Sequence, residues 1–432
     1  MLASHQNSMS DQHFTRTLNR NPFPENRADF FNSASIGLES TTAQSAATKS
    51  FKTWNDLLDR GQTSVAQLFD KVSDRITFFH NTTAGIQRIF LRLNQLIQSS
   101  YPTLLTTDLE YPGIVSLVDE TWKGRIAMVS VAHLINSGRC AEVTDTLKRG
   151  ILAAKPGIVY LSHIARGTGY RIDETILDFI RNIDRNIVII IDGAQACGNI
   201  QLDDRSRAEA DFYVTSGHKW ICGKQTLGIV FADKRWSVED PAQSYSNAKG
   251  SMGTGNSLAL LSVQAAVADL NGETSEESPA DRMADIERHN ALLAEKFSEM
   301  LLDRCKLRSI AETNIAAGSE WRWNGIVAVP MPSVAVIDNL QDEKGDDWGV
   351  EFTYLKSELW RSNVGSTPAG KRFIVNCEGS NPDTFFDEVN LRGISIPDTG
   401  NYLSRFCFHY YHNLADVERL VDRIDRARTL RL

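Results

Sequence analysis

Two spacings of apolar residues alternate along this 432-residue chain, and their order predicts its elements. Short runs such as "ITFF" (76–79), "GRIAMVSVAHL", "KPGIVYLSHI", "NIVIIIDGAQ" and "ADFYVTSG" read as strands bounded by small or polar residues. "FKTWNDLLDRGQTSVAQLFDKV", "IQRIFLRLNQLI" and "DETILDFIRNI" place apolar residues three and four apart, the signature of one buried helix face. The run "IVIII" (187–191) is apolar on both sides of a strand, which suits the middle of a parallel sheet covered on both faces. Strand, small polar turn and helix in repeated order predict an α/β layer with a mainly parallel sheet.

At "NGETSEESPADR" (271–282) the pattern turns acidic and polar, and a long helical run, "MADIERHNALLAEKFSEMLL", follows. This predicts a polar arm over 1–29, a large domain over 30–275 and a smaller α+β C-terminal domain over 276–432, to which the segment after the arm also contributes. "NGIVAVPM", "RFIVNCEG" and "RFCFHYYH" read as strands of the smaller domain, "PDTFFDEVNLRG" and "LADVERLVDRIDRA" as its helices.

Composition narrows the function. A net charge of −8 with no dense Lys/Arg tract offers no basic field for nucleic acid. The six cysteines are scattered, without a C-x-x-C pair or a metal-like cluster with His, and read as reduced buried thiols. The N-terminus lacks the apolar core of a signal peptide, and no apolar run reaches the roughly 18 residues of a membrane span. A cytoplasmic protein with no membrane partner is expected.

The chemistry centres on two residues. Asp192 ends the most apolar strand, and ligands of open α/β sheets sit at the carboxyl ends of strands. Lys219 follows the next strand-like run, in the segment "ADFYVTSGHKWICG" (210–223). An acid against a pyridinium nitrogen and a lysine in Schiff-base linkage are the pair that pyridoxal phosphate requires. "HNTTAGI" adds a small polar turn opening a helix, where backbone N–H groups and the helix dipole favour a phosphate. A plain helix cap is the simpler reading of that turn taken alone.

With these pieces the sequence resembles the class V aminotransferase superfamily of fold-type I pyridoxal-phosphate enzymes, in look nearest the isopenicillin N epimerase-like and cysteine desulfurase-like group. The likeness runs from "FFNSASIG" (30–37) to the C-terminus. It implies the fold-type I transferase fold, with "SGHKW" as the Schiff-base motif: Lys219 as the linking lysine, Ser216 and His218 as cofactor contacts. "DGAQ" then supplies Asp192 and Gln195, the latter near the cofactor's phenolic oxygen, while Thr82, Thr83 and the Ala84 backbone take the phosphate. In "TTDLEYPG" the resemblance makes Tyr111 the residue stacked on the pyridine ring. In "GSMGTGN" it makes Thr254 a residue reaching the neighbour's phosphate in a homodimer. Arg405 would clamp the substrate α-carboxylate, with Asn32 and Ser35 as further substrate neighbours.

Departures from the family pattern bear on the reaction. Persulfide-forming desulfurases carry a cysteine shortly before the carboxylate-binding Arg, and "GISIPDTGNYLSRF" (393–406) has none; Cys377 and Cys407 read as core thiols. Arg166, in "LSHIARGTGY", stands where a small polar residue is usual, and either reads a second anionic group of the substrate or pairs with an acid at the sheet edge. His163 reads as structural. The resemblance implies a substrate bearing an amino-acid group, an external aldimine and loss of the Cα proton. A lyase outcome, β-elimination or C–S cleavage without a protein persulfide, is preferred narrowly to transamination, with epimerisation third. The alternative from another class is a non-catalytic binding protein on the same fold.

Overall fold

The computed structural model describes residues 31, 33–50, 53–69, 73–96, 101–202, 209–236, 256–271, 279–331, 351–354, 372–375, 386–387 and 402–429. Twelve strands run in chain order among these residues: β1 (Ile76–Phe79), β2 (Leu104–Thr107), β3 (Ile126–Val129), β4 (Ile158–Ser162), β5 (Val188–Asp192), β6 (Phe212–Ser216), β7 (Gly228–Ala232), β8 (Ile326–Met331), β9 (Glu351–Tyr354), β10 (Arg372–Val375), β11 (Phe386–Asp387) and β12 (Tyr402–Cys407). The main sheet has the order β1-β7-β6-β5-β4-β2-β3, continued at its β3 edge by β10 and β11. The neighbours β6, β5, β4, β2 and β3 are mutually parallel, while β7 is antiparallel to β6 and to β1.

The predicted parallel sheet is present, and the apolar pattern explains it. Along β5, Ile189 and Ile191 enter one buried cluster and Val188 and Ile190 another, so both faces are covered. The helices Thr82–Leu96 and Pro112–Thr121 supply Ile86, Phe90, Ile114 and Val118 to the second cluster. The helix Thr82–Leu96 forms because Ile86, Ile89, Phe90 and Leu93 share one buried face. Its first turn is capped by Asn81, whose Oδ1 accepts from the Ala84 amide at 2.8 Å. The "NTTAG" turn is therefore shorter than the sequence suggests, with Thr82 already helical.

Two further differences appear. "PDTFFDEVNLRG", expected as a helix, contributes Phe386–Asp387 as a strand paired with β10, and its other residues lie outside those described. Strand β10, expected in the smaller domain, pairs parallel with β3, satisfying backbone groups that an open edge would leave bare. Strands β2 and β7 are not evident from the sequence pattern.

A second sheet, β8-β12-β9, is antiparallel. The helices Pro279–Met300 and Leu414–Thr429 share its separate core, with Phe297, Phe406, Phe408 and Leu420. Phe31 joins that core, and its carbonyl accepts from the Cys407 amide at 2.8 Å.

Strand register builds one edge from distant residues. Ser162 lies opposite Asp192, Ser216 opposite Gly228, and Gly228 opposite Phe79. Ser162, Asp192 and Ser216 therefore end their strands beside the start of the helix at Thr82. Gly228 makes this possible, because a β-carbon there would lie 2.2 Å from the Asn81 carbonyl oxygen. We expect Gly228→Ala to displace that helix start and lower stability by about 1–3 kcal/mol, checked by chemical denaturation. An unchanged denaturation midpoint would contradict this close approach.

Candidate active site

A cleft of about 220 Å³ opens over this edge. Of the residues singled out in the sequence, Ser35, Thr82, Thr83, Tyr111, Arg166, Asp192, Gln195, His218 and Lys219 line it. Ala84, Ser216 and Arg405 do not, and Asn32 and Thr254 lie outside the described residues.

Asp192 accepts from the Tyr160 hydroxyl on Oδ2 and from the Ala194 amide on Oδ1, both at 2.9 Å. Burial pushes its carboxyl above the ordinary range, while the Lys219 ammonium and these two donors pull it back. Lys219 faces the converse pressures. Burial lowers its amine to about 8, opposed by Asp192 and assisted by the nearby Arg166 and Arg405 guanidinia. A substantial share of the amine is thus unprotonated slightly above neutral pH, the form that can attack a carbonyl.

The Lys219 segment is held by close backbone contacts. The Gly37 amide donates to the His218 carbonyl at 2.6 Å, and a β-carbon on Gly37 would fall 1.7 Å from the Lys219 carbonyl oxygen. On another side Gly198, at φ +89°, would bring a β-carbon within 2.6 Å of the Trp220 carbonyl. The Trp220 indole donates to Gln195 Oε1 at 2.9 Å, and His409 Nε2 donates to the Trp220 carbonyl at 2.8 Å. His409 Nδ1 accepts from the Tyr410 amide, and burial lowers the ring to about 3, so the imidazole acts as a neutral brace.

Gln195 also donates through Nε2 to the Ala34 carbonyl at 2.8 Å, so the second hydrogen on that nitrogen is the one that can serve the cleft. Thr82 Oγ1, at the helix start, and His218 Nδ1, next to Lys219, are buried without hydrogen-bond partners, and both residues line the cleft. Ser216 Oγ is buried in the same condition just beneath the Lys219 segment. Such groups are costly unless a ligand satisfies them. Ala84 requires correction: its amide is taken by Asn81 Oδ1 as the helix cap, so the backbone donor assigned to the phosphate is already engaged. Asn81 itself lines the cleft. The residues present fit a cofactor with an aldehyde, a ring nitrogen and a phosphate.

On the other side, Tyr111 caps the helix Pro112–Thr121, and its ring lies so close to Gly113 that a β-carbon there would be 2.7 Å from it. The Arg166 guanidinium lies 5.2 Å from the centre of this ring. Arg405, fully buried on β12, donates through Nη1 to the Arg166 carbonyl at 3.2 Å. Cys407 is buried next to it, and the five described cysteines are all buried and unpaired by disulfides.

The sequence reading missed Glu110, Tyr160 and Ser162. Glu110 is buried beneath the cleft and accepts from Thr107 Oγ1 at 2.7 Å and from Ser162 Oγ. Its signal was an acid beside Tyr111 at the end of β2, and Ser162 ends β4 as Asp192 ends β5. His163 is committed to structure, bonding Tyr213 and Glu174 through its two ring nitrogens at 2.9 Å each.

Known proteins resemble this chain in sequence and in fold. The family model described as Aminotransferase class-V matches residues 37–249. Isopenicillin N epimerase of Amycolatopsis lactamdurans is 33% identical over 88 residues, a stretch spanning 20% of this chain and 21% of that protein. The cysteine desulfurase CsdA from Escherichia coli superposes with a TM-score of 0.66 at 16% identity, covering 95% of this chain and 98% of its own. The cystine C-S lyase C-DES, in complex with its product cysteine persulfide, gives a TM-score of 0.65 at 17% identity, covering 92% and 97%. A C-DES mutant with glycine covalently linked to its PLP cofactor gives 0.67 at 17% identity, covering 95% and 99%. At these identities the structures establish a shared fold.

Glu110 yields a test of the buried charge. Burial lifts its carboxyl from 4.5 to about 7, against the Ser162 and Thr107 hydroxyls. Between those values the folded chain holds a proton that the unfolded chain releases, so this stabilisation is full below the unfolded pKa and is lost as pH rises through about 7. Thermal unfolding of the cofactor-free protein should therefore show stability falling from pH 5 to 8 by up to roughly 3 kcal/mol relative to Glu110→Gln. Equal pH slopes for the two proteins would exclude a proton held at Glu110.

Proposed function

We propose that the chain is a pyridoxal-phosphate enzyme of the class V aminotransferase superfamily, acting on an amino acid or an amino-acid-bearing metabolite, a reading supported by the family-model match over residues 37–249. The observation that carries this is Lys219, half-buried and facing Asp192 in a cleft that also holds unsatisfied polar groups at a helix N-terminus. When bound, pyridoxal phosphate supplies an aldehyde for the substrate amine and a protonated ring that accepts the electron pair released at Cα.

The chain's own residues serve the remaining requirements. Asp192 holds the proton on the ring nitrogen, since a desolvated carboxylate is favoured by a cation at its face. Thr82, Thr83, Ser216 and His218 hold the phosphate, helped by the dipole of the helix Thr82–Leu96. Tyr111 covers the ring, and Gln195 donates to the phenolic oxygen. Lys219 holds the cofactor through its amine and, once released from that link, takes the Cα proton as a base. Arg405 binds the substrate α-carboxylate through its planar guanidinium. A cytoplasmic homodimer, with Thr254 reaching the neighbour's phosphate, completes this reading.

Among the possible reactions we favour a lyase outcome. Between Gly393 and Phe406 there is no cysteine to accept sulfur, and Cys407 is buried with its thiol pushed up by burial, which disfavours a protein persulfide. Transamination is the second reading. The partial match to an epimerase supports epimerisation as the third.

Purified protein supplied with pyridoxal phosphate should turn yellow, and borohydride should fix cofactor mass to the peptide containing Lys219, with none fixed in Lys219→Ala. Failure to take up the cofactor would favour a non-catalytic binding protein on the same fold. A β-substituted alanine should release its β-substituent and give pyruvate and ammonia with no 2-oxo acid acceptor added; turnover that depends on such an acceptor would replace the lyase reading with transamination.

A further inference from the structure

We propose that Trp220 is a positioning residue: its indole N–H holds the Gln195 amide in one orientation, so that Gln195 presents an N–H rather than its oxygen to the cofactor. The inference rests on the pyridoxal-phosphate reading above, in which Gln195 faces the phenolic oxygen beside the Lys219 linkage.

A side-chain amide has two ends of nearly the same shape and opposite polarity, so its orientation is set by its partners. Gln195 is buried, and both of its ends are engaged. Its Oε1 accepts from Trp220 Nε1 at 2.9 Å, and its Nε2 donates to the Ala34 carbonyl at 2.8 Å. Turned over, the amide would set its nitrogen against the indole N–H and its oxygen against the Ala34 carbonyl, two buried mismatches in place of two bonds. Gln195 lines the cleft, and the position left on its amide nitrogen is the second hydrogen.

The Ala34 carbonyl alone would leave the amide free to pivot about Nε2. The indole removes that freedom, because groups outside the cleft fix the indole itself. Trp220 is fully buried, its ring stacks on His409 with centroids 5.3 Å apart and planes 16° from parallel, and a β-carbon on Gly325 would lie 2.6 Å from it. His409 also donates to the Trp220 carbonyl at 2.8 Å. Lys219 and Trp220 are adjacent in the chain, so one short segment carries the linking amine and orients the donor opposite it. A donor at the phenolic oxygen stabilises negative charge there, which lowers the affinity of the linked nitrogen for a proton. The charged groups acting on Lys219 are Asp192 on β5, Arg166 after β4 and Arg405 on β12, with His218 beside it, and a change at Trp220 alters none of them.

The test uses the full-length, cofactor-loaded protein and reads the pH midpoint of its visible absorbance change, which reports the proton at the Lys219 linkage and not turnover. Gln195→Leu should raise that midpoint by about one pH unit, the effect of losing one hydrogen bond to a charged oxygen. Trp220→Phe keeps a stacked ring without the N–H and should raise the midpoint by at least about 0.3 unit, a twofold change in proton affinity. Trp220→benzothienylalanine keeps the indole shape as well, so it should give the same shift with packing unchanged. In the Gln195→Leu background neither replacement of Trp220 should move the midpoint further, because Trp220 acts through Gln195. Thermal unfolding shows which variants remain folded. A benzothienylalanine protein with the wild-type midpoint overturns the inference, as does a shift that adds to that of Gln195→Leu. A protein that stays colourless when pyridoxal phosphate is supplied overturns the cofactor reading itself, a result distinct from an unmoved midpoint.

Discussion

A poorly solvated amine facing a single carboxylate is the arrangement around which this molecule is organised. Burying an isolated ammonium costs several kcal/mol, and the chain meets that cost in two ways: Asp192 offers an opposite charge, and the amine loses its proton more readily, near pH 8. Neither works unless the two side chains stay in place. Asp192 is fixed by ending a strand buried on both faces, and Lys219 by a loop in which glycines let other backbone segments touch it. The N-terminal segment contributes twice, through Gly37 against that loop and through Phe31 in the second core, so it ties the Lys219 loop to the C-terminal sheet.

How much of this could be read from sequence follows from where the information resides. The central strands were legible because "IVIII" and "FYVTS" carry burial on both faces in the residues themselves. Asp192 and Lys219 were legible because few side chains suit their chemistry. Strands β2 and β7 were not: "LLTT" ends in two threonines and "GIVFA" opens on glycine, and both become strands through neighbours on both sides. Glu110 and Ser162 were missed for a related reason. They matter because strand register sets Ser162 opposite Asp192, and register is a property of pairing that a local pattern does not contain. Ala84 shows the opposite failure: the motif was read correctly as a helix start, but the cap was already supplied by Asn81.

The two ends of the cleft differ in the kind of incompleteness they present. Thr82 Oγ1 at the helix start and His218 Nδ1 beside Lys219 have no hydrogen-bond partner, which is what a phosphate resolves. At the other end burial lowers the Arg166 and Arg405 guanidinia. Asp192 lies between, with burial raising its carboxyl, and there a cation is needed. Together, the helix start and Asp192 describe a ligand with a phosphate and a basic ring more narrowly than any one residue does.

Arg405, which would bind the substrate carboxylate, also acts on the basicity of Lys219, and this couples recognition to proton transfer. Burial, and to a lesser degree Arg166 and Arg405, hold the amine below its ordinary pKa, which favours the neutral nucleophile needed to capture the cofactor. A carboxylate seated on Arg405 would cancel much of its field. The amine, once released from the cofactor, would then hold a proton more firmly than before, making it a better base at the moment a Cα proton becomes available. The coupling requires no movement of Lys219, only a change in the charge facing it.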